Sequence, residues 1–207
     1  MVPIYCITVP DHPWKRALSE KHFNERKFPA VFVDAFNGSL LGLQSSTPHF
    51  INDKNEGAWI TGPQIACVLS HLSVMTMLVA QNHDEFVIVE DDLLVPEDWK
   101  SQYDAIRSEI PKDVGCVQLE HSFSGGKPCQ AVSKRLSKIG YPFSSGAIWW
   151  RKETAQQAIR VMRPINSPMD VMLMQRVYPF LGHLAATPTL FRQRTGEHHW
   201  PSSISPT

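Results

Sequence analysis

The chain has 207 residues, 43% of them apolar and 19% charged, a composition that suits one globular domain with a full core. Lys and Arg together number 20 and so do Asp and Glu, so there is no basic excess to hold a nucleic-acid backbone or an anionic membrane surface. Residues 1–207 are therefore read as a single domain with no nucleic-acid partner.

Val2 to Val9 is rich in strand formers, short, and without a basic flank, so it reads as a first strand and not as a signal peptide. Asp11 followed by Pro13 suits the cap and first turn of a helix over Trp14 to Asn24. Phe28 to Val33 is a second strand, closed by an Asn37-Gly38 turn, and strand, helix, strand at this length predicts a right-handed parallel crossover. From Ser39 to Ala58 the Gly, Ser, Thr, Asn and Pro content is that of a long loop on the ligand side. Thr61 and Gln64 have the spacing of a capping box. The helix that follows carries Ile65, Val68, Leu69, Leu72, Met75 and Val79 as one apolar stripe, with Thr76 its polar exception. His71 lies near the edge of that stripe, where a hydrogen-bonded structural role and a ligand-facing role are both open. No run approaches the roughly 18 apolar residues of a membrane helix, so no integral membrane segment is expected.

Phe86 to Val89 has the length and β-branched content of a strand buried on both faces, as in a parallel sheet. Glu90, Asp91 and Asp92 follow at its carboxyl end, where open α/β sheets bind ligands. Adjacent acids repel one another, and burying them is costly unless a cation or strong donors compensate. Oxygen ligands suit Mg²⁺ or Mn²⁺, which take one or two protein carboxylates and share the rest of their shell with water and phosphates. If the strand continues through the triplet, Glu90 and Asp92 point to one face and can share one ion. The alternative is a solvated turn ahead of the helix near Pro96.

Glu97 to Ile110 then reads as a helix, Gly115 to Leu119 as a strand, Ser122 to Pro128 as a flexible loop and Tyr141 to Ser145 as a connection. Ala147 to Trp150 is an apolar run, and a helix follows over Lys152 to Met162. Trp149 and Trp150 suit either a sugar platform or the core. Asp170 stands at a helix start continued by Val171 to Val177, where it can simply complement the helix dipole. Cys6, Cys67, Cys116 and Cys129 contain no Cys-x-x-Cys pair and read as free thiols of a reducing compartment, so a cytoplasmic location is expected. After Leu184 the chain turns polar, and His198 and His199 are of a residue type that binds metal, without a diagnostic spacing. Alternating strands and helices predict an α/β fold with a mostly parallel central sheet flanked by helices.

In order and over nearly the whole chain, these pieces resemble family 25 glycosyltransferases, the group that includes lipopolysaccharide galactosyltransferases and relatives of the collagen galactosyltransferases. The resemblance rests on the helix bearing Arg16, on Pro29-Ala-Val-Phe-Val-Asp-Ala35, and on Gly62-Pro-Gln-Ile-Ala-Cys-Val-Leu-Ser-His71, which is similar to a Gly-Glu-x-x-Cys-x-x-Ser-His pattern. Val87-Ile-Val-Glu-Asp-Asp-Leu93, Ser145-Gly-Ala-Ile-Trp-Trp150 and Pro164-Ile-Asn-Ser-Pro-Met-Asp170 resemble the later motifs. Pro63 and Gln64 depart from the family's Gly and Glu, and Trp149 stands near a usual Tyr.

The resemblance implies a GT-A fold and a transferase that moves a hexose, galactose or glucose, from a UDP-sugar to a glycan or other hydroxyl acceptor with inversion, in a setting such as lipopolysaccharide biosynthesis. It implies Mn²⁺ or Mg²⁺ on Asp92, assisted by Glu90 or Asp91 and completed by His198 or His199. Asp170 is the implied catalytic base. Thr8, Val9, Arg16, Asp34, Ser70, His71, Glu90 and Asp91 are the implied donor contacts. Two other classes use the same strand-end chemistry: a catalytically silent nucleotide-sugar-binding module, and a metal-dependent phosphohydrolase or nucleotidyltransferase.

Overall fold

The structure is a computed structural model and describes residues 2–38, 48–50, 57–122, 128–140 and 143–194. The first unit is β1 (Ile4–Thr8), α1 (Pro13–Glu25) and β2 (Ala30–Asp34), with β1 and β2 parallel and Thr8 level with Asp34. Asp11 does not cap α1. His12 occupies the cap position without a side-chain bond, while Asp11 accepts a hydrogen bond from the Asn37 amide. Part of the stretch expected to be loop is instead a short antiparallel ladder of β3 (Pro48–Phe50) and β4 (Gly57–Trp59), each too brief to show a period-two pattern.

The next helix, α2 (Gly62–Ala80), opens on the expected capping box: Gln64 N donates to Thr61 Oγ1 at 3.3 Å and Thr61 N to Gln64 Oε1 at 2.9 Å. Such a cap is worth about 1 kcal/mol. Its buried face is broader than the predicted stripe and includes Ser70, His71, Val74 and Leu78, whereas Ile65, Leu69 and Val79 are only half-buried. His71 thus lies inside that face. By length and composition α2 is apolar enough to cross a membrane, which counting uninterrupted apolar runs misses because Ser70, His71, Ser73 and Thr76 divide them. Here it packs on both sheet and helices.

The chain continues with β5 (Glu85–Glu90), β6 (Leu93–Leu94), α3 (Trp99–Ser108), β7 (Cys116–Ser122), β8 (Pro128–Ala131), β9 (Leu136–Ile139), β10 (Phe143–Arg151) and α4 (Lys152–Val161). The last described elements are α5 (Met169–Met172), a π-helical turn over Leu173–Val177, α6 (Tyr178–Leu181), β11 (His183–Ala186) and β12 (Arg192–Gln193). Eight of these strands form one sheet in the order β2-β1-β5-β10-β7-β11-β9-β8. Six run in one direction, and β9 and β10 run against them. The sheet is thus mostly parallel in strand direction, as expected, with the run 147–150 reversed between β5 and β7.

Alternation along β5 builds a core on each face. Phe86 and Ile88 join Leu72, Met75 and Leu78 of α2 with Ala155 and Ala158 of α4. Val87 and Val89 join Phe23, Phe28, Trp99 and Tyr103, where Phe28 meets Phe23 and Trp99 edge-on at 4.9 Å. Trp149 and Trp150 divide between these two cores and are 1% and 0% exposed, so both are core residues and neither is a sugar platform.

Candidate active site

The central strand ends at Glu90, and Asp91 and Asp92 form a turn into β6. Because the strand does not run through the triplet, the alternation that would aim Glu90 and Asp92 together does not apply. The three acids diverge. Glu90 Oε1 accepts from Ser145 Oγ at 2.7 Å and lies 3.0 Å from His71 Nε2, with Cys67 Sγ 3.9 Å away. Asp91 turns to β1 and α1: Thr8 Oγ1 donates to its Oδ2 at 2.7 Å, Val9 N–H donates to its carboxylate, and the Ser19 hydroxyl donates to its carbonyl. Arg194 N donates to the Asp92 carbonyl at 2.8 Å, where β12 pairs with β6. Among the described residues the buried Asp92 Oδ1 has no hydrogen-bond partner.

The turn is therefore half-buried, not fully solvated, and its electrostatics follow from that burial. Desolvation pushes the Asp92 carboxyl up to about 8, with the charges of Glu90, Asp91 and Glu120 adding to it. Burial also raises Asp91, more than the Thr8 bond and the Lys15 charge lower it. Glu90 goes the other way, because its bonds to His71 and Ser145 outweigh its desolvation. Lys15 on α1 is 2% exposed, and burial lowers its pKa against the opposing pull of Asp91 and Asp92.

A fourth acid and its holder have no counterpart among the expected site residues. Glu120 of β7 is 3% exposed, and burial pushes it up to about 7. It accepts from the Ser144 hydroxyl, and a Cβ placed on Gly146 would lie 2.6 Å from its Oε2, so glycine there makes room for the carboxylate. Ser144 has a φ of 95°, a conformation that costs a non-glycine residue about 1–3 kcal/mol. Its carbonyl accepts from Gln118 Nε2 at 2.7 Å, and its backbone N–H donates to Asp170. Asp170, at the start of α5, also accepts from Val171 N at 2.8 Å, and burial raises its pKa. The only sequence signal for Glu120 is a carboxylate at an inward position of an apolar strand, and nothing local marks Ser144.

The other expected donor contacts are placed as follows. Arg16 of α1 pairs with Asp34 at the carboxyl end of β2 at 3.0 Å and with Glu20 of α1 at 2.8 Å, on the exposed side of the helix. Ser70 Oγ accepts from Phe36 N at 2.9 Å and donates to Ala66 O at 2.7 Å, which ties the segment after β2 to α2. His198 and His199 lie outside the described residues.

One consequence is measurable without any ligand. Folded Asp92 holds its proton up to about 8, far above its ordinary value of 3.8. The folded state therefore binds that proton more tightly than the unfolded chain does, and the associated stability is lost as pH rises between these values. In a chelator, the denaturant midpoint should fall over that range, and Asp92→Asn should flatten the fall and exceed the wild type at its upper end. An Asp92→Asn curve parallel to the wild type would contradict the assignment.

The chain is similar to known proteins in sequence and in fold. A family model described as glycosyltransferase family 25 (LPS biosynthesis protein) matches residues 1–126, a span that holds the acid turn and Glu120 but not Asp170. The chain is 23% identical over 180 residues to a Haemophilus influenzae protein described as a putative glycosyltransferase, covering 84% of this chain and 62% of that protein. The chain thus spans less than two thirds of that relative. Its fold is similar to the crystal structure of a glycosyltransferase involved in the glycosylation of the major capsid of PBCV-1, with a TM-score of 0.54, 11% identity, and 94% and 93% of the two chains covered. At that identity the likeness is one of fold, a GT-A-like sheet flanked by helices. With more than half of its length matched by the family model, the chain belongs to glycosyltransferase family 25.

Proposed function

We propose that this chain is a metal-dependent transferase domain that moves a hexose, galactose or glucose, from a UDP-sugar to a hydroxyl of a glycan acceptor with inversion. The observation that carries this reading is the buried Asp92 Oδ1 at the carboxyl end of the central strand, which has no hydrogen-bond partner among the described residues. An oxygen that has lost water and gained no donor is what a hard cation would satisfy. Asp92 would hold Mn²⁺ or Mg²⁺, with Asp91 beside it; Glu90 is drawn toward α2. Bound there, the cation supplies positive charge to the departing nucleoside diphosphate.

The chain's own residues do the rest. Thr8 and Val9 fix Asp91, and buried Lys15 adds a fixed positive charge to the same side. Arg16 and Asp34 flank the strand ends on the side where a uridine would lie. Asp170, its carboxylate oriented by backbone N–H groups that include those of Val171 and Ser144, takes the proton of the acceptor hydroxyl. The new glycosidic bond forms as the sugar–phosphate bond breaks, its electron pair leaving with the diphosphate. Burial, by raising the Asp170 pKa, makes it a better proton acceptor at neutral pH. Lipopolysaccharide, named in the family description, is the proposed acceptor class. Free Cys6, Cys67 and Cys116 suit the cytoplasm as the proposed location.

The test is whether donor and metal bind as one unit. Ligand at 100 times its dissociation constant stabilises a fold by about 2.7 kcal/mol. At roughly 2–4 °C per kcal/mol, UDP with Mn²⁺ should raise the melting midpoint by roughly 5–11 °C, and UDP with a chelator far less. Equal shifts in both conditions would show that the acid turn does not bridge a metal to a diphosphate.

A further inference from the structure

We propose that Cys67, His71 and Glu90 form a second divalent-cation site, of the zinc class, distinct from Asp92. Cys67 and His71 are four residues apart on α2, so their side chains project from the same helix face, one turn apart. The end of β5 brings Glu90 opposite that face. One ligand atom from each of the three lies within 4.8 Å of the others, a cluster that no other described His, Cys, Asp or Glu joins.

The separations are close to those of a metal site. His71 Nε2 is 3.0 Å and Cys67 Sγ 3.9 Å from Glu90 Oε1. Tetrahedral zinc with its usual bond lengths sets ligand atoms about 3.4–3.6 Å apart, so closing on one ion asks for shifts of about an ångström. The donor set decides the metal. Sulfur, imidazole nitrogen and one carboxylate oxygen suit Zn²⁺, whereas the oxygen donors of the acid turn suit Mg²⁺ and Mn²⁺. Three protein ligands leave a fourth position for water, the arrangement of exchangeable zinc sites.

The surroundings support the same assignment. Ser145 Oγ donates to Glu90 Oε1 at 2.7 Å and holds that carboxylate against α2, as outer-shell donors hold metal ligands. His71 is 1% exposed, and its Nδ1 has no partner among the described residues, so the ring's one polar engagement is through Nε2, toward the cluster. Cys67 and Glu90 are half-buried. On binding, the Cys67 thiol gives its proton to solvent as the sulfur–metal bond forms. His71, whose Nε2–H faces Glu90 without the ion, shifts that proton to Nδ1 and bonds through the freed Nε2 lone pair. The account balances at one proton released per ion.

Cobalt, a spectroscopic stand-in for zinc, tests this on the full chain without any nucleotide sugar, so the outcome is independent of the transfer reading. Titration with Co²⁺ should produce a thiolate-to-cobalt charge-transfer band that saturates at one equivalent. Zn²⁺ should bleach the band and excess Mn²⁺ should leave it. Cys67→Ser should lose the band, while Asp92→Ala should keep it. No band in the wild type, or a band that survives Cys67→Ser, would overturn the site. A band lost equally in Asp92→Ala would overturn its separateness from the acid turn. Should Cys67→Ser fold poorly, alkylation of the wild-type chain read by mass spectrometry decides. Zn²⁺ should protect Cys67, and equal labelling with and without Zn²⁺ would overturn the proposal.

Discussion

Replacing Asp170 by Asn should lower turnover about 10²–10⁴-fold while leaving donor affinity nearly unchanged. Asn keeps the shape of the side chain and, through its amide oxygen, can still accept the Val171 N–H that orients it at 2.8 Å. It cannot take a proton. The start of α5 should therefore persist, and the loss should fall on the step in which the acceptor hydroxyl is deprotonated. Initial rates and donor titrations on the same preparation separate the two effects. A near-normal rate would move the base elsewhere, with Glu120 the first alternative, since it is buried nearby and ionises at about 7. Lost donor binding would make Asp170 a donor contact.

Asp92→Ala should abolish the metal-dependent part of turnover, a loss of roughly 10²-fold or more if the cation contributes several kcal/mol to the departing charge. The fold should survive, because the substitution removes a carboxylate whose buried Oδ1 has no donor among the described residues and which is repelled by Glu90, Asp91 and Glu120. Thermal melting in a chelator checks the fold, and a Mn²⁺ titration of activity checks the chemistry. Wild-type metal dependence in this variant would place the catalytic ion away from Asp92.

What was legible in the sequence was local. Thr61 and Gln64 face each other within one helical turn, so their box could be read from spacing, and β5 with its acids could be read from an apolar run broken by charge. Features made by distant pairings were not legible. The run Ala147 to Trp150 identifies a strand but not its direction, because apolar content is the same either way; only the fold shows β10 reversed between β5 and β7. His71 reads as an edge residue on a single-faced helix, yet α2 is covered by sheet on one side and by α4 and α5 on another. Adjacent Trp149 and Trp150 suggest a platform only if one face is open, and here both faces are core. Glu120 needs its partners Ser144 and Gly146, 24 and 26 positions later, before it reads as part of a site. The acid triplet is legible as a charged break after β5, but not that Glu90 turns to α2 and Asp91 to β1 while Asp92 Oδ1 is left without a partner among the described residues.

The most direct test of the account is to incubate the chain with a panel of nucleotide sugars and a glycan acceptor and to identify the leaving group. The account predicts release of UDP from UDP-galactose or UDP-glucose that requires Mn²⁺ or Mg²⁺ and disappears in Asp92→Ala. Release of phosphate or pyrophosphate would contradict it and point to a phosphohydrolase or nucleotidyltransferase. Metal-dependent donor binding with no release from any sugar nucleotide would contradict it too, and leave a binding module in place of an enzyme.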